Sequence, residues 1–288
     1  MSAKFGPAGN SDAFSAVHKS SLAAPQWIAE QGLDCYEYQC GKGVHVGEDT
    51  ARRVGENARK HGISLSLHAP YFINLANPDP DSLQKTIGYI TSACLVASQM
   101  GASRVVIHSG ALMKRTRREA LDTALRSLRE VIRTCDGQGF GHIALCPETM
   151  GKINQLGDLE EVLELCTLDE RLIPCIDFGH LYARSLGADD GAEAFGRMLD
   201  RVESVPGQSR ASVFHSHFSH IQFTPGGGEK CHRTFDDDDG YGPDWAPLAR
   251  AIARRGWSPT FICESAGTQA KDALTMKRIY QEVLTAQE

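Results

Sequence analysis

Along this chain a metal-ligating side chain recurs just past one β-like run after another. The series is His68 in LSLHAP, His108 in VVIHSG, Glu148 in CPETMG, Asp177 and His180 in CIDFGH, His217 in FHSHFS and Glu264 in FICES. The intervals are nearly regular. A chain that places such a group at the end of strand after strand is constrained to an architecture in which those ends meet. A barrel with a metal site at its mouth satisfies that constraint.

Eight short apolar or β-branched runs support the same architecture, around Lys4–Gly6, Asp34–Tyr38, Ser64–Leu67, Arg104–Ile107, His142–Cys146, Leu172–Ile176, Val213–Phe218 and Pro259–Cys263. The first two are the most weakly marked. Stretches of helical periodicity separate most of them. In Glu119–Thr134, Leu121, Leu125, Leu128 and Ile132 share one helix face. Leu83–Met100 and Pro243–Arg255 read similarly, and Gly101, Gly139 and Gly256 suit helix C-caps. Alternating strands and helices imply parallel β joined by helical crossovers. Eight such units predict a (β/α)8 TIM barrel, α/β in class, with residues 1–288 forming a single domain. PGGGEK and the acidic cluster Asp236–Asp239 read as one long loop after the seventh strand.

Length and charge are consistent with this. A chain of 288 residues fits one such barrel. A formal net charge of −6 disfavours binding to nucleic acid by bulk charge, although a local basic patch or bound cations could still meet phosphates. The nine cysteines are scattered and form no CxxC pair, and MSAKFGPAGN carries no apolar signal region. The expectation is reduced thiols in a cytoplasmic protein, with no membrane span and a monomeric state.

Active sites of such barrels are built at the C-terminal strand ends. The carboxylates Glu148, Asp177 and Glu264 end apolar strands, where an unpaired buried charge is costly, and a shared cation relieves that cost. Imidazole and carboxylate together suit zinc or manganese, and the absence of clustered thiolates argues against a structural zinc module. The seventh run is ambiguous. His215 and His217 share a face and His220 lies just beyond; His217 is preferred because it is nearer the strand end. His232 could reach back over the mouth from the following loop, with Cys231 beside it. Glu37 in CYEYQ either faces the mouth or pairs with an arginine. Lys114, Arg115, Arg117 and Arg118 form a basic run after the fourth strand, either a solvated helix start or a contact to phosphates. Tyr71 and Phe72 either pack ordinarily or act as an aromatic wedge.

Together these residues resemble the endonuclease IV family of apurinic/apyrimidinic-site endonucleases, which are zinc-dependent (β/α)8 barrels. The resemblance runs from about Leu65 to Glu264 and rests on HAPYFINLANP, VVIHSG and CIDFGHLYA in that order. It implies metal ligands at His68, His108, Glu148, Asp177, His180, His217, His232 and Glu264. It also implies Glu148 and Glu264 as catalytic residues, and Tyr71, Phe72, Lys114 and Arg115 as DNA contacts. The implied activity is hydrolysis of the phosphodiester beside an abasic site in damaged double-stranded DNA, with two or three Zn2+ ions, or Mn2+. The chain departs from the family at three places. Lys230 stands at an aspartate's position with Glu229 one residue earlier, Glu148 fits only with a one-residue shift, and Ser109 replaces a proline. The first leaves two expectations open: a third ion beside Glu229 and His232, or the Lys230 amine in its place. A second reading is a sugar isomerase or epimerase of the xylose isomerase-like superfamily, with a small sugar as substrate. It needs only Glu148, Asp177, His217 and Glu264, with the two glutamates exchanging a proton.

Overall fold

Ten strands form among residues 2–286, the part of the chain that the computed structural model describes. In chain order they are β1 (Lys4–Pro7), β2 (Cys35–Gln39), β3 (Ser64–His68), β4 (Arg104–His108), β5 (Ala144–Glu148), β6 (Cys175–Asp177), β7 (His215–Phe218), β8 (His220–Thr224), β9 (Gly228–Arg233) and β10 (Thr260–Cys263). Eight make one parallel sheet in the order β1-β10-β7-β6-β5-β4-β3-β2. The sheet curls until its outer strands meet. Asp34 N–H donates to the Phe5 carbonyl at 2.8 Å and Gly9 N–H to the Glu37 carbonyl at 2.9 Å. The backbones come so close here that a Cβ on Gly6 would lie 1.8 Å from the Cys35 carbonyl oxygen, so only glycine fits. The expected TIM barrel is present, including its two weakly marked strands.

The helices cover the outside. Pro80–Met100 starts at Asp79, whose carboxylate accepts from the Ser82 N–H at 3.0 Å, and stops at Gly101 with φ 73°. Arg117–Gly137 starts with a reciprocal capping box between Thr116 and Glu119. Phe5, Phe178, Phe195, Phe214, Phe261 and Trp245 are fully buried in the main core.

Inside the barrel the chemistry is layered, because residues two apart on a strand share a face. Val106, Cys146, Cys175 and Ile262 are small or apolar and buried. Two residues further on stand His108, Glu148, Asp177 and Glu264. On these four strands a small or apolar residue lies beneath each ionisable group of the mouth. Register completes the arrangement: His108 pairs with Glu148 and Asp177 with His217 across neighbouring strands.

Two expectations are corrected. The fifth and sixth strands begin later than their apolar runs, at Ala144 and Cys175; in the sixth, Leu172 is held in a turn to Asp169 and Pro174 has no N–H to donate. The stretch read as one long loop after β7 contains the antiparallel hairpin β8–β9. Its glycine-rich turn and polar residues hide two strands, which pair with each other and touch the loop after β5, where the Glu229 N–H donates to the Gly151 carbonyl at 3.1 Å. Gln222 pairs with Cys231 and Phe223 with Glu229, so Lys230 is the extra residue of a bulge.

Candidate metal centre at the barrel mouth

Glu148, at the end of β5, is buried at the centre of the mouth. Its Oε2 lies 3.3 Å from His68 Nε2 and 3.3 Å from His108 Nε2. Its Oε1 lies 3.0 Å from His217 Nδ1 and 3.4 Å from His180 Nδ1. His217 Nδ1 is also 3.5 Å from Glu264 Oε1 and 4.0 Å from Asp177 Oδ2. Ligand atoms of Glu148, Asp177, His217 and Glu264 all fall within 4.8 Å of one another, as do those of His180, His232 and Glu264. Seven of the eight expected ligands thus converge within short distances of each other, and His108 joins them through Glu148.

The outer nitrogens of these imidazoles are occupied. His68 Nδ1–H donates to the Ala69 carbonyl at 2.7 Å, His108 Nδ1–H to the Tyr71 carbonyl at 3.2 Å, and His180 Nδ1–H to the Thr149 carbonyl at 2.9 Å. His217 Nε2–H donates to Glu37 at 2.9 Å. In each neutral tautomer the remaining nitrogen is a bare lone pair, and at His68, His108 and His217 it faces a Glu148 oxygen. Two acceptors facing each other are repulsive unless a proton or a cation lies between them. One nitrogen tied to the protein and one left open is also the usual state of a metal-ligating histidine. Asp177 Oδ2 is buried with no hydrogen-bond partner, the nearby His180 Nδ1 being committed to Thr149. The donor set and this orphaned oxygen fit a divalent ion.

The electrostatics are correspondingly strained. Burial pulls the His180 imidazole down, but Asp177, Glu229 and Glu148 outweigh it and hold it well above the ordinary range. Burial likewise opposes the charge on His217, and Cys175, Glu264, Glu37 and Glu148 push it well above. Burial raises the Asp177 carboxyl, and the neighbouring Glu264 and Glu148 add to that against His180 and His217. The mouth gathers more carboxylate than a dry interior tolerates without cations.

The ambiguity among the histidines of β7 and β8 is resolved by side-chain direction. His217 enters the centre. His215 lies beneath it, 2.8 Å from Glu37 Oε2. His220 stacks on Phe235 at 4.7 Å, away from the mouth. Glu37 pairs with neither an arginine nor the mouth directly; it bonds both His215 and His217. Glu229 faces the cavity, its Oε2 3.6 Å from His180 Nε2. Lys230 is exposed and absent from the cavity wall, so the expectation that its amine substitutes for an ion is corrected: the bulge turns it outward. Cys231 turns to Gln222.

Tyr71 lines the cavity, and Phe72 beside it packs edge-to-face on Tyr89 with ring centroids 4.7 Å apart; each is 52% exposed. Tyr71 stacks on His108, ring centroids 5.6 Å apart, and its hydroxyl donates to Gln39 Oε1 at 3.0 Å. Lys114 is exposed but lies outside the cavity wall. Arg115 is not an outward contact: its guanidinium donates to the Thr123 hydroxyl at 3.0 Å and to the Ala76 carbonyl. Arg117 and Arg118 are similarly tied, to Glu161 and Asp158 and to Asp122 and Glu164. Two of the four cations in the run, Arg117 and Arg118, are thus paired with neighbouring carboxylates.

The cavity has a volume of about 650 Å³ and also exposes Asn10, Gln39, Gln155, Gln269 and Lys152. Sequence reasoning missed this ring of amides, because a neutral amide in a loop has no spacing or charge signature. Among the described residues no helix is long and apolar enough to cross a membrane.

A family described as xylose isomerase-like TIM barrel matches residues 25–282. An uncharacterized protein of Methanocaldococcus jannaschii is 29% identical over 256 residues, covering 89% of this chain and 90% of that one. A probable endonuclease 4 of Mycoplasma genitalium is 29% identical over 143 residues, only 48% of this chain and 47% of its own length. The crystal structure of a D-tagatose 3-epimerase-like protein superposes with a TM-score of 0.73 at 19% identity, covering 99% of both chains, a likeness of fold alone.

Proposed function

The chain belongs to the xylose isomerase-like TIM barrel family, and from that premise we propose that it is a metal-dependent phosphodiesterase cutting DNA at abasic sites. The observation that carries this reading is the Glu148 carboxylate. Its Oε2 is shared by His68 and His108, and its Oε1 faces His217 beside Asp177 and Glu264. Two ligand groups, His68 with Glu148 and His217, and Glu148 with Asp177, His217 and Glu264, would each be able to hold a cation. His180, His232 and Glu264 offer a third position, with Glu229 Oε2 3.6 Å from His180 Nε2. The resemblance to endonuclease 4 proteins over about half of their length supports the same assignment.

Zinc, or manganese, held by these groups would supply Lewis-acid polarisation of a phosphoryl oxygen and a nucleophile at neutral pH. The residues of the chain do the rest. Glu148 and Glu264 would help hold the ions, and their carboxylates can accept a hydrogen bond from an attacking water. The residues beneath the mouth are buried, which strengthens every charge interaction above them. Tyr71 and Phe72 present aromatic surface at the rim to a base stack, where an abasic sugar is most easily displaced. Lys152, the one lysine in the cavity wall among the described residues, would meet a flanking phosphate. The test is nicking of a duplex with a single abasic site by metal-loaded protein, abolished by chelation and restored by zinc or manganese. Inactivity with all sites loaded would sink the assignment.

A second reading is favoured by the amide-lined cavity, which suits the hydroxyls of a small sugar. In it one ion sits on Glu148, Asp177, His217 and Glu264, and the two glutamates exchange a proton beside a carbonyl. One bound ion per chain, with epimerisation of a ketose, would establish it over the nuclease.

A further inference from the structure

Beneath the mouth lies a carboxylate for which the proposed chemistry has no direct use. Glu37, on β2, is fully buried, and four side chains donate to it. His215 Nε2–H reaches its Oε2 at 2.8 Å and the Ser66 hydroxyl reaches the same oxygen at 2.8 Å. His217 Nε2–H reaches its Oε1 at 2.9 Å, and the Gln39 amide reaches that oxygen at 3.2 Å. Its partners come from β2, β3 and β7, so the carboxylate spans the interior of the barrel from one side to the other.

Hydrogen-bond bookkeeping gives every imidazole in this network one tautomer. The Arg104 guanidinium can only donate, and its Nη1 lies 3.4 Å from His215 Nδ1, which must accept. The Nε2 of His215 then carries the proton given to Glu37. An ionised carboxylate only accepts, so His217 also directs its Nε2–H at Glu37. The lone pair of His217 is thereby left on Nδ1, the atom that faces Glu148 and Glu264. With the Nε2 edge unclamped, rotation of the ring or a change of tautomer would aim an N–H at the ion position instead.

We infer that Glu37 is a positioning residue whose carboxylate clamps the Nε2 edges of His215 and His217 and so presents His217 to the mouth as an Nδ1 metal ligand. The clamp extends to the rim: the Tyr71 hydroxyl donates to Gln39 Oε1, and the Gln39 amide donates to Glu37. Ring placement at the exposed edge and ligand placement at the centre are thus parts of one hydrogen-bonded chain. Cys175, His215 and His217 lie close enough to hold an ion of their own. The hydrogen bonds argue against it, because Glu37 already engages the Nε2 atoms of both histidines and each of its oxygens has two donors.

This inference rests on the reading of the mouth as a metal centre, and its test does not need activity. Zinc affinity of the full chain is measured by competition with a chromophoric chelator, the ion count by elemental analysis, and the ligand field by the visible spectrum of cobalt-loaded protein. Glu37→Gln is expected to bind zinc about 10- to 100-fold more weakly, the usual effect of losing an outer partner of a ligand. Its cobalt spectrum should also shift, while Glu37→Asp recovers part of the affinity. Ser66→Ala removes one donor without disturbing either imidazole, and an intermediate loss is expected. It serves as the test if Glu37→Gln does not fold. Wild-type affinity and spectrum in whichever of these variants folds would overturn the inference. So would an ion lost on Cys175→Ser, which would place the metal beneath the mouth. If the wild type binds no ion, the metal reading and this inference fall together. If affinity drops in Glu37→Gln but the wild type leaves abasic DNA intact, the inference stands and only the substrate assignment fails.

Discussion

Glu148 Oε1 and His217 Nδ1 lie 3.0 Å apart at the centre of the mouth, two acceptors in their unprotonated forms. That pairing is stable only with a positive charge nearby, and Glu148 repeats it with His68 and His108 through its other oxygen. Glu148→Gln keeps the shape and removes the charge that the two proposed ion positions would share. The expected result is loss of at least one bound ion per chain and a fall in abasic-site nicking of about 100-fold or more. Elemental analysis and single-turnover nicking check it. An unchanged ion count would show that the ions, if bound, do not share Glu148.

Glu229 and Lys230 make a paired prediction. The bulge points Glu229 at His180 and turns Lys230 to solvent. Glu229→Ala should lower the ion count by one, whereas Lys230→Ala should leave it unchanged. A reversed outcome would mean that the register of the hairpin in solution is shifted by one residue.

Tyr71 stacks on His108 and reaches Gln39, while much of its ring stays exposed. Removing the two rim rings in Tyr71→Ala/Phe72→Ala should raise KM for an abasic duplex about tenfold, the value of a lost stacking contact. The count of bound ions should stay the same. An unchanged KM would assign both rings to packing.

Far from the mouth, Arg171 gives a prediction about pH. It donates to Asp136 at 2.6 and 3.0 Å and to Asp169 at 2.9 and 2.6 Å. These hydrogen bonds hold both carboxyls below their ordinary range. For a depressed carboxyl, the stabilisation is fully present above the unfolded value, near pH 4, and is lost as pH falls through the folded value. Arg171→Met should therefore lower the urea midpoint at pH 7, and the gap from wild type should close as pH falls below about 4 and through the folded values. The groups are largely exposed, so the gap at pH 7 will be modest. A gap that persists at low pH would trace it to lost packing of the arginine stem.

Much of this protein is legible in the order of its residues. Apolar runs alternating with amphipathic stretches determine a parallel barrel, since a parallel sheet needs helical crossovers and both of its faces covered. Acidic and histidine residues placed just past those runs determine that the mouth carries carboxylate and imidazole, because strand ends converge in such a barrel. Both are consequences of local pattern. Which histidine of β7 enters the centre, whether Glu229 or Lys230 faces it, and what Glu37 binds depend on contacts between distant segments. Glu37 meets His215 and His217 only because β2 and β7 face each other across a closed barrel. Lys230 turns outward only because one residue of β9 has no partner on β8. Arg115 looks like a phosphate contact until the Ala76 carbonyl and Thr123 are brought against it. Spacing along a chain specifies which face of a strand a side chain takes, but the partner awaiting it is set by strands and loops far away in sequence.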